Sequence, residues 1–210
     1  VSHMSFGALS LEAKVALAQG ASQAGTLTCS GEGGMLPEER DAADHYIFEM
    51  ASGYFGWKPE NIRKADAIEI KLGQSAKPGL GGELPGSKVN PEIARVRGLE
   101  PGTPAHSPAR FPDIGESAEL AARIEEIRQL TDGQSPVGVK FVANDVAADT
   151  QAVLALMPDF LTIDGFGGGT GAAPSDVRGN FGMPLAMALP IARRLIDAHN
   201  QAHPERPVSL

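Results

Sequence analysis

Apolar and polar positions follow two periods along this chain. Short apolar runs at Ala67–Leu72, Val137–Val142 and Phe160–Asp164 read as strands. Between them stand segments with apolar residues at helical spacing. These are Leu9–Ala24, with Ser10 as a plausible N-cap, and then Glu116–Leu130, Thr150–Met157 and Pro184–Ala198. The same pattern predicts a strand end at Val1–Ser5 and another inside Gly25–Gly34, where a glycine-rich loop follows. It predicts a helix over Pro37–Met50 with proline in its first turn, a short strand at Ser52–Gly56 and a short helix at Pro59–Lys64. A last strand begins at Pro207–Leu210. Gly73–Asp113 is dense in Gly and Pro and reads as one long loop, a length that is usually functional or disordered.

Strands alternating with helices imply right-handed βαβ units and a parallel sheet. About seven strand positions over 210 residues point to a parallel (β/α)8 TIM-type barrel, whose usual length is roughly 250 residues. On this reading the barrel is incomplete, its last strands lying beyond Leu210, and residues 1–210 form a single domain. An open doubly wound sheet is the alternative.

Composition narrows the classes. With 42% hydrophobic and 21% charged residues the chain reads as an ordinary soluble protein. A net charge of -8 argues against a nucleic-acid partner, which needs a basic face. No apolar stretch approaches membrane-spanning length, so no membrane partner is expected. Cys29 is the single cysteine: it can form no internal disulfide and no metal site alone, and it suits a reducing cytoplasm. His3, His45, His106, His199 and His203 show no metal spacing and read as structural or exposed, so no metal site is expected.

In a parallel barrel, chemistry sits at the C-terminal strand ends, and four stretches fall there. Gly165–Gly171 follows a strand, and its glycines let backbone amides approach an anion. Lys71 ends an otherwise apolar strand, with Gln74 and Lys77 just beyond, a set suited to a ligand carrying negative charge. A lysine held there can also donate a proton. Glu32 stands among glycines in Ser30–Gly34, either as a ligand contact or base or as a solvated turn residue. Lys140 lies inside Val137–Val142, where a charge is costly unless paired. It would point inward near the mouth, toward a negatively charged ligand or toward a neighbouring strand-end acid.

In this order the segments resemble the FMN-binding domain of glutamate synthases, in particular the short stand-alone glutamate-synthase-like FMN proteins. The resemblance is carried by Met4–Ser10, Ser30–Gly34, Ala51–Gly56, Glu69–Gly79, Gly81–Val89, Pro91–Arg97 and Gly168–Ala172, and it covers essentially the whole chain. It implies an FMN-dependent barrel in which 2-oxoglutarate and ammonia form 2-iminoglutarate, which reduced FMN converts to glutamate. It implies that Met4, Ser5, Ser52, Lys71, Gln74, Lys140, Gly168, Thr170 and Gly171 hold or border FMN. Lys77 takes the catalytic lysine position, Arg97 binds a substrate carboxylate beside Lys77 and Glu83, and Glu32 links ammonia delivery to the flavin. N-methylglutamate-synthase-like enzymes and non-catalytic FMN-binding subunits belong to the same range of readings. Glutaminase and electron-transfer subunits are expected partners, and an iron–sulfur cluster would be supplied only by residues beyond Leu210. The chain departs from the family at Tyr54, where Arg is usual, and at Glu83, where Gln is usual. An acid there would weaken binding of a dicarboxylate unless protonated or paired with Lys88.

Overall fold

The computed structural model describes residues 1–167 and 173–210. Gly168, Thr170 and Gly171 of the glycine run lie outside the described residues. Five strands form one curled parallel sheet: β1 Thr28–Cys29, β2 Tyr46–Met50, β3 Ala67–Lys71, β6 Val137–Val142 and β7 Phe160–Asp164, in the order β1-β2-β3-β6-β7. Helices α1 Leu11–Gln23, α2 Pro37–Asp41, α3 Pro59–Ile62, α5 Ser117–Leu130, α6 Val146–Leu154 and α8 Leu185–Ala202 intervene along the chain, with a short α7 at Ser175–Arg178. The result is an α/β half-barrel, the parallel architecture expected of a TIM-type barrel. Past β7 the backbone of Ser209 bonds to Asp159 and Leu161 and bridges Phe160 in parallel, so the predicted strand start near Leu210 does begin there.

The two faces of the sheet differ sharply. Phe48, Met50, Ile68, Ile70, Val139, Phe141 and Leu161 belong to the main core, which also takes Leu120, Ile124 and Ile127 of α5 and Ala188, Ala192 and Ile196 of α8. The opposite face holds Glu49 opposite Glu69, then Lys71, Lys140 and Thr162 in register. An ordinary barrel interior is filled by branched aliphatic residues; this one is charged. Gly138 gives room there, since a Cβ would stand 2.1 Å from the Phe160 ring.

Several expected elements are corrected. Pro37–Met50 is not one helix: α2 stops at Asp41, and Tyr46–Met50 is a central strand paired on both sides. Tyr, Ile and Phe favour strands, and with all five residues buried neither period stands out. Ser52–Gly56 is a turn with Tyr54 at φ 52°, which no strand permits. Val1–Ser5 forms no described strand. The helix placed at Thr150–Met157 starts earlier, at Val146, because the Asp145 side chain caps it by accepting from the Ala148 amide at 3.1 Å.

Gly73–Asp113 is also not one loop. It holds an antiparallel pair, β4 Glu83–Leu84 with β5 Ala105–His106, and helix α4 Pro91–Arg97. Asn90 caps α4 by accepting from the Ile93 amide at 2.8 Å. A second apolar cluster of Phe6, Leu36, Phe55, Val89, Ile93 and Val96 ties this excursion to the sheet. Among the described residues no helix is long and apolar enough to cross a membrane.

Candidate functional site

A cavity of about 760 Å³ opens at the C-terminal ends of β2, β3, β6 and β7. The expected residues Met4, Ser5, Glu32, Lys71, Gln74, Lys77, Glu83, Arg97 and Lys140 all line it. Ser52 does not: its hydroxyl donates to the Pro108 carbonyl at 2.6 Å, and it faces a small adjoining recess shared with Glu32, Lys71, Gln74 and Lys77.

Strand register places the two interior lysines side by side, Lys71 opposite Lys140. Glu49, only 1% exposed, lies 3.5 Å from each ammonium through its two oxygens. Lys71 also pairs with Glu32 at 2.9 Å and donates to Gln74 at 3.3 Å. The second Glu32 oxygen accepts from the Ser107 hydroxyl. Burial alone would raise the Glu32 and Glu49 carboxyls, but the lysines beside both, and Ser107 at Glu32, hold them below the usual carboxylate range. Burial would likewise lower Lys71, but Glu49 and Glu32 raise it above the ordinary lysine value.

Lys77 differs. Its ammonium donates only to the Gly81 carbonyl, at 3.0 Å, and burial first, then the Lys71 charge, hold it below the ordinary lysine value against the pull of Glu32 and Glu49. Arg97, at the end of α4, donates to the Phe6 carbonyl at 3.0 Å and stacks over Phe55, while its Nε is buried with no hydrogen-bond partner. Glu83 sits exposed at the mouth, opposite His106, and it forms no ion pair with Lys88.

Lys14 builds the wall nearest the N-terminus. It is 2% exposed and donates to the carbonyls of Met4 and of Ser30, the latter at 3.0 Å, and pairs with Glu39 at 2.9 Å. The Tyr46 hydroxyl donates to the other Glu39 oxygen at 3.0 Å. One buried ammonium therefore joins the segment carrying Met4 and Ser5 to the loop carrying Glu32.

Sequence reasoning missed part of the site. His3, expected to be structural or exposed, lines the cavity with its Nε2 2.6 Å from Glu69 and 3.6 Å from Glu49. The contact with Glu69 is off the hydrogen-bonding direction, so both atoms lack a hydrogen-bond partner. Thr162 donates to the other Glu69 oxygen at 2.5 Å, and Asp164 accepts from the Ser75 amide at 3.1 Å. Polar residues at alternate positions of β3 and β7 were the available signal; Glu49 was hidden by the helical reading of its segment. His3, Cys29 and Glu49 also place possible metal donors within 4.8 Å of one another. The two lysines already engaging Glu49 repel a cation, so the cluster is better suited to ion pairing. Tyr54 faces away from the cavity: its hydroxyl donates to Asp113, and its ring packs on Phe111 under Arg123.

A parallel α/β half-barrel with cations and carboxylates converging on a cavity at its C-terminal strand ends has the architecture of the TIM-type barrel proteins. The chain belongs to the glutamate synthase family: residues 1–204 match the family described as "Conserved region in glutamate synthase". It is 42% identical over 190 residues to the archaeal glutamate synthase (NADPH) of Methanocaldococcus jannaschii, covering 90% of this chain and 37% of that one. It is 43% identical over 198 residues to the archaeal glutamate synthase (NADPH) of Archaeoglobus fulgidus, covering 93% and 39%. A glutamate synthase large subunit-like protein of Rhizobium meliloti is 39% identical over 198 residues, covering 94% and 45%. The chain thus spans about two fifths of the length of these relatives.

Proposed function

We propose that residues 1–210 are a single FMN-binding barrel domain of a glutamate-synthase-type oxidoreductase that converts an imino acid to an amino acid in the cytoplasm. The observation that carries this reading is the convergence of Lys71, Lys77, Lys140 and Arg97 on one cavity of a chain whose net charge is -8. The residues present fit FMN. The cavity falls in the range of cofactor sites, about 300–1,000 Å³, and two ammonium groups stand on its interior wall. When bound, FMN would supply the hydride that reduces the imine carbon.

The chain's own residues then divide the work. Lys71 and Lys140 would hold the negatively charged part of the cofactor, with Gln74 beside Lys71, and Met4 and Ser5 would border it from the same cavity. Ser52, in the adjoining recess, is assigned to the same cofactor, as are Gly168, Thr170 and Gly171, which lie outside the described residues. Arg97, with its unpartnered Nε, binds a substrate carboxylate. Lys77, whose proton is loosened by burial, gives it up as the imine forms or is reduced. Glu32, already engaged with Lys71 and Ser107, links ammonia delivery to the flavin site. The substrate is 2-iminoglutarate from 2-oxoglutarate and ammonia. Glutaminase and electron-transfer subunits are the partners, and any iron–sulfur cluster comes from residues beyond Leu210. The exposed acid at Glu83 favours a second reading, a related imino acid of the N-methylglutamate-synthase type.

The test is spectroscopic. The full-length protein is expected to hold yellow FMN, to bleach with dithionite, and to regain colour with 2-oxoglutarate plus ammonia but with neither alone. A full-length protein that binds no FMN overturns the proposal.

A further inference from the structure

Among the described residues Glu49 is the one carboxylate that touches both interior lysines. It lies on β2, 3.5 Å from Lys71 on β3 and 3.5 Å from Lys140 on β6, and is 1% exposed. Lys71 has a second carboxylate in Glu32, at 2.9 Å. Among the described residues Lys140 has no carboxylate partner but Glu49. Removing Glu49 would therefore leave Lys140 as a buried, uncompensated cation and free Lys71 to follow Glu32 alone.

Building on the FMN reading, we propose that Glu49 is a positioning residue that fixes both ammonium groups on the cavity wall and lowers the reduction potential of the bound flavin. The physical argument is electrostatic. Reduction adds electrons to the ring, so positive charge beside it favours the reduced form. A charge held in a poorly solvated site acts on its neighbours far more strongly than one in water. Without Glu49, Lys140 would stand bare and Lys71 would keep only Glu32, which would push the potential up; the buried carboxylate between them cancels part of that field. It also orients what remains, because both side chains are held to one fixed anion. His3, 3.6 Å from the same Glu49 oxygen that Lys140 engages, is never an anion and so does not replace the carboxylate.

The experiment measures the midpoint potential of FMN in the full-length protein by spectroelectrochemistry. Glu49→Gln is expected to move it in the positive direction, Lys140→Met in the negative direction, and Glu49→Asp to leave it near the wild-type value. Titration with oxidised and reduced FMN gives a second readout: by linkage, the ratio of the two affinities must change by the same factor as the potential shift implies. A merely structural role for Glu49 would not produce shifts of opposite sign in the two variants. An unmoved or negative shift in Glu49→Gln, with flavin bound, overturns the inference and leaves the proposed function standing. If that variant loses its flavin, Lys140→Met decides, and an unmoved or positive shift overturns it. Loss of flavin from every variant also overturns it, because the pair would then serve binding and not tuning. A wild-type protein without FMN removes both proposals together.

Discussion

Two buried lysines at the same site do opposite things, and their partners explain why. Lys14 uses its ammonium on two backbone carbonyls and the Glu39 carboxylate, leaving no proton free for chemistry. Lys14→Met would strand Glu39, which is 2% exposed, with only the Tyr46 hydroxyl. Breaking a buried pair in this way costs about 3–5 kcal/mol. Urea unfolding should show a loss of that order, and adding Glu39→Gln should cost less than the sum of the single changes. Lys77 has one carbonyl partner and a depressed pKa. As a proton donor it is active when charged, so the single-turnover rate should fall as pH rises through its depressed pKa, below the ordinary 10.5. In Lys77→Met that limb should vanish and the rate should drop by about 10²–10⁴, with FMN still bound. A variant retaining both the rate and the limb would remove Lys77 from the chemistry.

At the scale of elements, the strands with mixed character were legible and the uniform ones were not. Lys71 and Lys140 stood out as cations inside apolar runs, and the pleat then dictated that they share the inward face. β2 is buried at all five positions, so its sequence carries no alternation to read. Helix α4 has seven residues between a proline-rich and a glycine-rich stretch, too short for a helical period to emerge. That one misplacement concealed Glu49, and no local pattern could place His3 against Glu69 from 66 positions away in sequence. Joints between elements are equally hidden. Gly31 has φ 67°, and a Cβ there would stand 2.7 Å from backbone atoms of Met4 and Ser5. Gly31→Ala therefore meets both a left-handed penalty of roughly 1–2 kcal/mol and a backbone clash. It should lower the urea midpoint and weaken FMN binding together, because the displaced segment is the cavity wall. A loss of stability with unchanged FMN affinity would show that Met4 and Ser5 do not border the flavin.

Across the whole molecule, the charged interior replaces part of an apolar core, and stability must then depend on pH. Glu49 and Glu32 are depressed below the ordinary carboxyl value of 4.5 by the lysines. A depressed carboxyl contributes stability that is present above its unfolded value and lost as pH falls through its folded one. Lys71 is raised above 10.5, so its contribution is present below that value and is lost only as pH rises beyond it. Lys77 is depressed and works in the opposite sense on the alkaline side, its penalty easing as it loses its proton. The acid limb is therefore the cleaner test. Wild type should exceed Glu49→Gln in urea midpoint by a constant margin from pH 4.5 up to the alkaline range where lysines titrate, and the margin should shrink steadily below pH 4.5. Because the pair is buried, raising the salt to 1 M, where exposed charges are screened within about 3 Å, should change the margin little. A margin that is flat through the acid range, or that collapses in salt, would mean that the lysines and Glu49 do not hold one another in the folded protein. The cavity wall would then lack its electrostatic frame.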